Sequence, residues 1–201
     1  MIKIQEFIKR AFSNYSVQDN NTLKGVPIVF EQPTDICGFF EETISKSAID
    51  NSILENVDLY YNHNLNSKPL ARTKNGRLKL EIKEDGVHMT AQINRERSDA
   101  NDLYLAIQDG DIDGMSFMFR VSEEEWKDLE SDYPKRYITK IDAIREVSVV
   151  NEPAYSGTSV DVRSVLDEAR SKYNLKNNTV ILKKQDNLEL EKLKAKYLFN
   201  I

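Results

Sequence analysis

Three polar residues lie within apolar stretches of the chain, and their types are those that activate a hydroxyl for acyl transfer. Ser116 lies in "GMSFMFRV", His63 follows "DLYYN", and Glu146 lies in "IREVSVV". A serine hydroxyl is weakly nucleophilic until a base accepts its proton, and imidazole is the side chain that most often does so. A carboxylate can orient that imidazole and stabilise the imidazolium. The residue types permit a Ser-His-Glu site if the fold brings them together.

Ser116 has two interpretations, a tolerated polar gap in a buried strand or a nucleophile held on a rigid one. Side chains alternate across a strand, so Ser116 shares a face with Met118 and Arg120. The opposite face carries the large apolar side chains, which can anchor the strand in the core: Met115, Phe117, Phe119 and Val121. The alternation predicts a firmly held hydroxyl, but does not choose between the two interpretations.

The candidate bases are few, because the chain contains only two histidines. His63 lies where an apolar strand gives way to a polar loop, a position that is fixed and yet reachable by a substrate. His88 follows a hairpin glycine and alternates with Val87 and Met89, the pattern of a solvent-facing position. A structural role is the favoured interpretation for His88, and His63 is the candidate base.

Glu146 is surrounded by apolar residues, and an ionised carboxylate is costly there unless it is paired or hydrogen-bonded. An imidazole N–H would be a suitable partner. An ion pair with Arg120 or Arg145 is the alternative, as is a position near the mouth of a barrel. The order His63, Ser116, Glu146 decides nothing, since such triads assemble from distant segments in several chain orders.

Composition and charge exclude several classes of protein. The 201 residues include 28 basic and 33 acidic ones, and the net charge of −5 gives no basic surface for nucleic acid. A single cysteine, Cys37, excludes an intramolecular disulfide, and two distant histidines do not form a metal site. No apolar run approaches the ~20 residues that span a bilayer. Residues 1–13 lack the features of a secretory signal. We therefore expect a cytoplasmic protein without a cofactor, a metal, a nucleic acid or a membrane partner.

Hydrophobic periodicity predicts an α+β fold, with a mixed, mostly antiparallel β-barrel flanked by helices. The clearest elements are a hairpin over residues 76–93, a helix over 98–112 and strands over 114–122 and 136–151. Gly110 is expected just past the end of the helix. We expect three parts along the chain: an N-terminal helix and linker (1–22), a main domain (23–163) and a helical tail (164–201).

Several segments together resemble the prohead proteases of tailed bacteriophages, capsid-maturation peptidases related to the herpesvirus assemblins. The resemblance is carried above all by "AIQDGDIDGMSFMFRV" and "IREVSVVNEPAYSGTSV", and also by "GVPIVFEQ" and "VDLYYNHNLNSKPLART". The segments follow the family's order and cover residues 24–162. The serine motif departs from the family at Met118, where Gly is commonest, and Glu152 replaces a small residue or Thr.

This resemblance implies a role for each matching residue. His63 would be the general base, Ser116 the nucleophile and Glu146 the orienting acid of a serine endopeptidase. It also implies a herpesvirus-protease-like fold and cleavage of the scaffolding segment of the major capsid protein precursor, and of the chain itself. The setting would be the assembling procapsid in the host cytoplasm, with a homodimer suggested by family analogy alone.

Two other functions remain open from the sequence. A catalytically inert capsid-assembly scaffold or docking module could have the same fold, with Ser116 unreactive. A serine esterase is disfavoured because the chain has no G-x-S-x-G elbow. Arg72 or Arg145 could assist catalysis or form surface ion pairs. Three apolar residues near the C-terminus share a helical face that could pack on the core, dock on a partner or be removed by self-cleavage: Leu190, Leu193 and Tyr197.

Overall fold

Two β-sheets flanked by α-helices make up the computed structural model, which describes residues 8–12, 15–18, 21–151, 163–176 and 188–189. The first sheet contains β1 (Ile8–Phe12), β4 (Thr34–Ile36), β5 (Phe40–Ile44), β6 (Asp58–Tyr61), β7 (Ala71–Arg72), β10 (Gly114–Lys127) and β11 (Lys135–Val150). The second contains β2 (Tyr15–Gln18), β3 (Thr22–Val29), β8 (Leu78–Ile82) and β9 (Gly86–Gln92). Helix α1 is Ser98–Asp109, and helix α2 covers residues 163–176.

Strand β11 organises the first sheet. One edge pairs with β10 in an antiparallel register that runs from Gly114 opposite Val150 to Lys127 opposite Lys135. The other edge is shared between two parallel partners. Residues 135–138 pair with β5, and residues 146–149 pair with β6. The end of β11 that carries Glu146 therefore lies between the strand of Ser116 and the strand that leads to His63.

The main apolar core joins the two sheets and α1. Phe117 and Phe119 of β10 are fully buried, and their rings stack with centroids 4.4 Å apart. They belong to a cluster that includes residues of β3, β9 and β11, and the inward face of α1. The apolar face predicted for residues 115–121 is confirmed. Burial of this face holds β10 firmly and fixes the direction of the alternate side chains.

The α+β class is confirmed, but the predicted barrel is not formed by the strands that the structure describes. Sheet order is β1-β10-β11-β5-β4 in the first sheet, with β6 and β7 beside β11, and β2-β3-β9-β8 in the second. No strand of one sheet pairs with a strand of the other in the described ranges. Closure of a barrel requires a continuous ring of paired strands, and the described strands of the two sheets make no pairing that would complete one.

The N-terminal helix is wrong over residues 8–12, which form strand β1. Ile8–Phe12 pair antiparallel with β10, and Ala11 lies opposite Ser116. An isolated helix of about 12 residues is marginal in water. The unpaired backbone along the edge of β10 offers a stronger partner. Residues 1–7 and most of the C-terminal region, with Leu190, Leu193 and Tyr197, lie outside the described residues.

The central local predictions are confirmed. The hairpin consists of β8 and β9, and Gly110 caps α1 in a left-handed conformation with φ of 82°.

A second, smaller cluster packs α2 against the first sheet. Leu166 and Ala169 of α2 are buried with Ile36, Phe40 and Leu129. The division of the chain into three parts stays a prediction.

Candidate active site

Polar side chains form a row across three neighbouring strands of the first sheet. Ser116 on β10 lies opposite Ser148 on β11, and Ser148 in turn pairs with Tyr60 on β6. Residues that pair directly in a sheet present their side chains to the same face. Glu146 is two residues before Ser148 and shares that face, and all three of Ser116, Glu146 and Ser148 are fully buried. The sheet therefore carries a buried polar row beside its apolar core.

His63 is placed by a turn, not by a strand. Strand β6 ends at Tyr61, and Asn62 and His63 both have left-handed backbones, with φ of 47° and 56°. Left-handed conformation is uncommon for residues other than glycine, although Asn and His adopt it more often than most residue types. The turn is held by hydrogen bonds to β11 and its end. Asn62 N–H donates to the Val149 carbonyl at 2.9 Å, and Asn151 N–H donates to the Asn62 side chain at 3.2 Å.

This turn brings the His63 imidazole into contact with Glu146. Nδ1 of His63 lies 2.6 Å from Oε1 of Glu146, and both side chains are buried, with 7% and 0% exposed. An ionised carboxylate can only accept a hydrogen bond, so this contact places the proton of a neutral imidazole on Nδ1. Nε2 then carries the free lone pair. The arrangement is a buried imidazole whose tautomer is set by its carboxylate partner.

Ser148 completes the polar contacts of this pair. Its hydroxyl donates to Oε2 of Glu146, and its Oγ accepts from the backbone N–H of His63 at 3.2 Å. Both carboxylate oxygens of Glu146 therefore have a polar partner, which offsets the cost of burying the charge. In the described part of the chain, every buried side-chain nitrogen or oxygen atom has a hydrogen-bond partner.

The structure thus brings two of the three candidate residues into direct contact. Ser116 lies on the adjacent strand, opposite Ser148, and adjacent strands are about 4.8 Å apart. His88 lies elsewhere, on the hairpin of the second sheet, where its Nε2 is 2.8 Å from Asp85. Of the two histidines, His63 is therefore the one that lies beside the polar row.

Comparison with known proteins assigns the chain to a family. The sequence profile described as Caudovirus prohead serine protease matches residues 9–172, most of the chain. The chain belongs to this family. A curated relative, the prohead protease of Enterobacteria phage HK97, is 27% identical over 122 residues, which is 61% of this chain. The chain spans about half the length of that relative, 51%. No solved structure matches the chain significantly.

The polar row of this prohead protease family member extends beyond Ser148 to three further residues, Tyr60, Asp58 and Arg72. Nε of Arg72 lies 2.6 Å from Oδ1 of Asp58, and this hydrogen bond raises the pKa of Arg72. Burial raises the pKa of the Tyr60 phenol, and the neighbouring Asp58 carboxylate adds to the rise. Tyr60 therefore stays neutral at physiological pH. The Arg72 guanidinium is engaged with Asp58, an ion pair of the kind that the sequence left open for it.

Sequence reasoning missed the residues that hold the pair, Ser148, Asn62 and Asn151. The signal for Ser148 was present in "IREVSVV", because Glu146 and Ser148 are two residues apart and therefore share a face of a buried strand. The Asn-His pair is compatible with a left-handed turn at residues 62–63, but the hydrogen bonds that hold this turn come from a segment more than 80 positions away.

The described residues give no indication of a metal centre or a membrane span. No group of three or more His, Cys, Asp or Glu side chains in the described ranges is placed to hold a metal ion. Within the same ranges, no helix combines the length and apolar character that crossing a bilayer requires.

Proposed function

We propose that this chain is a serine endopeptidase that cleaves the scaffolding segment of the phage capsid precursor, and itself, during prohead maturation. The single observation that carries the proposal is the buried His63–Glu146 contact beside the strand of Ser116. The description of the family and the name of the relative support the class of substrate. The relation to the herpesvirus assemblins and their fold, a homodimer, and location in the procapsid within the host cytoplasm belong to the same proposal.

The proposed chemistry is acyl transfer through a covalent intermediate. Nε2 of His63 accepts the proton of Ser116 as Oγ attacks the substrate carbonyl, and then returns it to the leaving amine. Glu146 keeps the proton of the neutral imidazole on Nδ1 and stabilises the imidazolium. Water then attacks the acyl-enzyme with His63 again as the base, which releases the new carboxylate and restores Ser116. Backbone N–H groups would stabilise the oxyanion.

One observation favours the second candidate, an inert scaffold or docking module. The Ser116 side chain is fully buried in this structure, so a substrate reaches it only after the groups above it move. An inert module needs no such movement, and buried hydroxyls also serve to satisfy hydrogen bonds in a core.

The two candidates are separated by covalent labelling and self-cleavage. The wild-type chain and Ser116→Ala would be incubated with a fluorophosphonate and with co-expressed capsid precursor, and the products would be mapped by mass spectrometry. Ser122→Ala is the matched control, because Ser122 lies on the same strand and its hydroxyl donates to the Lys140 carbonyl, away from His63 and Glu146. Labelling and cleavage in wild type and Ser122→Ala, and neither in Ser116→Ala, support the peptidase. Identical behaviour of all three chains supports the inert module.

A further inference from the structure

We propose that Ser148 is a positioning residue of this site, which orients the Glu146 carboxylate and holds the His63 backbone in place. The inference rests on the proposed roles of His63 and Glu146. It assigns Ser148 a role that neither family membership nor the sequence motifs require.

The contacts of Ser148 close a ring through the site. The backbone N–H of His63 donates to Ser148 Oγ, and the Ser148 hydroxyl donates to Oε2 of Glu146. The other oxygen of Glu146 then contacts Nδ1 of the same histidine. The ring therefore ties both the main chain and the imidazole of His63 to one carboxylate. Without the Ser148 hydroxyl, the contact of Nδ1 with Glu146 would be the only link between His63 and this carboxylate. The imidazole could then rotate about its own side-chain bonds.

The Ser148 hydroxyl has no proton left for nucleophilic chemistry. A serine has one O–H donor, and here it is directed at Glu146, while a lone pair accepts the His63 N–H. Nε2, the basic nitrogen of His63, is the nitrogen that does not contact Glu146. The geometry consequently distinguishes two serines on facing strands. Ser116 is the candidate nucleophile, and Ser148 holds the His63 backbone and the Glu146 carboxylate in place.

The backbone at His63 needs such support. Asn62 and His63 are consecutive non-glycine residues with positive φ, a conformation that persists only where surrounding contacts hold it. Three hydrogen bonds tie this turn to β11 and Asn151, and one of them ends on a side chain of the sheet, Ser148. Removal of the hydroxyl leaves a part-buried amide of His63 and a fully buried carboxylate oxygen of Glu146 each short of a partner. We expect the turn to relax and carry the imidazole away from the strand of Ser116.

The test compares three variants in the full chain. Ser148→Ala removes the hydroxyl, Ser148→Cys nearly keeps the volume but is a much weaker donor, and Ser148→Thr restores the hydroxyl. Ser122→Ala repeats the serine-to-alanine change on a hydroxyl outside the site. Peptide hydrolysis gives kcat and KM separately, and proton NMR follows the His63 Nδ1–H resonance, assigned by its absence in His63→Ala.

We expect Ser148→Ala and Ser148→Cys to lower kcat on the order of 10- to 100-fold, by analogy with the loss found for groups that orient metal-bound side chains. KM should stay within about twofold, because no substrate contact is removed. The Nδ1–H resonance should broaden or disappear in both variants and return in Ser148→Thr, together with kcat. Should Ser148→Ala fail to fold, the comparison of Cys with Thr decides the same question.

Three outcomes would overturn the inference. One is unchanged kcat and an unchanged resonance in folded Ser148→Ala or Ser148→Cys. Another is a rise in KM alone, which would make Ser148 part of the substrate-binding surface. The third is fluorophosphonate attached to Ser148 instead of Ser116, which would make it the nucleophile. A wild-type chain without peptidase activity would contradict the proposed function only, because the NMR comparison still measures whether Ser148 fixes His63 against Glu146.

Discussion

Burial makes the pair of His63 and Glu146 more than a surface ion pair. Glu146 is fully buried and His63 nearly so, and a carboxylate in such a place is stable only when its oxygens are hydrogen-bonded. The contacts to Nδ1 and to the Ser148 hydroxyl provide this on both oxygens. Under the proposed mechanism, the pair would be pre-organised before a substrate binds, which is the condition for effective proton transfer.

Glu146→Gln should remove most of the activity and leave the fold intact. The amide has nearly the same shape, but it carries no charge to stabilise the imidazolium and permits the other imidazole tautomer. The corresponding carboxylate-to-amide change in a well-studied serine protease lowers kcat about 10⁴-fold. We expect a loss of at least about 10³-fold here by the same mechanism. Steady-state hydrolysis of a capsid-derived peptide measures it, with circular dichroism to verify folding.

Glu84→Gln provides the matched control for this change. The Glu84 side chain is 92% exposed and pairs with Lys46, and neither residue belongs to the polar row. Its substitution should leave kcat unchanged. Activity of Glu146→Gln within tenfold of wild type would contradict an orienting role for the carboxylate.

Residue types and hydrophobic patterns were enough to select the candidate residues of the site, but not to predict how the fold arranges them. Glu146 could be selected because a carboxylate among valines needs a partner, and the imidazole of His63 is that partner in the structure. The sequence predicts His63 at the point where an apolar strand gives way to a polar loop, and in the structure the strand ends at Tyr61 and a left-handed turn follows. Such a turn is set by contacts with distant backbone, so local periodicity could not indicate it. The catalytic roles of His63, Ser116 and Glu146 stay predictions.

At the scale of elements, the second sheet depends on a close approach between the backbones of β3 and β9. The pairing of these strands is irregular between Gly25 and Ile28, where Pro27 cannot donate to the ladder. Gly86 opens β9 at this point, and a Cβ there would lie 2.1 Å from the carbonyl oxygen of Ile28. The absence of a side chain at Gly86 therefore permits the two backbones to approach.

Gly86→Ala should destabilise the protein strongly through this contact. Backbone atoms cannot move aside as a flexible side chain can, so β9 must shift away from β3. Overpacking of this kind costs typically 1–3 kcal/mol and occasionally more, and we expect about 3 kcal/mol in urea unfolding. Gly38→Ala is the control, because φ there is +72° but no atom lies within 4 Å of the added Cβ. It should cost only about 1–2 kcal/mol, the penalty of a left-handed residue. Equal losses in both variants would contradict the steric argument.

Elements that depend on local signals were predictable, and those that depend on partners were not. The β8–β9 hairpin has strict alternation and a turn glycine, and α1 has a helical apolar face that ends at Gly110. The segment of Ile8–Phe12 has helical spacing too, yet it pairs with β10 as a strand. Strand pairing depends on the free edge that the rest of the sheet offers, and no window of local sequence contains that edge.

At the scale of the molecule, the two sheets share one core but remain separate in hydrogen bonding. The main cluster takes buried residues from both, while the described strands of one sheet do not pair with those of the other. Counting many short strands with two helices was enough to predict the α+β class. The described strands do not form the predicted closed barrel, and closure depends on the partners of edge strands, which local sequence does not specify. Here the second edge of β11 is divided between β5 and β6. The residues of β11 themselves do not predict this division.

A second, smaller core attaches α2 to the first sheet. Most of α2 lies within the residues 9–172 that match the family, and we expect this part of the chain to contribute to the stability of the fold. Leu166 is buried against a cluster that contains Ile36 and Phe40, and Arg170 donates to the carbonyls of Leu129 and Ser131 at 3.0 and 2.7 Å. These contacts join a helix that follows β11 to strands that lie far earlier in the chain. Loss of the helix would expose the apolar residues beneath it.

Leu166→Ala should therefore destabilise the whole protein, and not only fray the helix. A buried Leu→Ala change costs about 2–5 kcal/mol, and we expect about 2–3 kcal/mol, since α2 covers one side of a small cluster. Leu175→Ala makes the same change on the same helix at a side chain that is 68% exposed, and should stay within about 0.5 kcal/mol of wild type. Urea midpoints from tryptophan fluorescence report directly, because Trp126 packs against this cluster. Equal midpoints for the two variants would mean that α2 adds nothing to the folded sheet, and that the second core is not a stabilising unit.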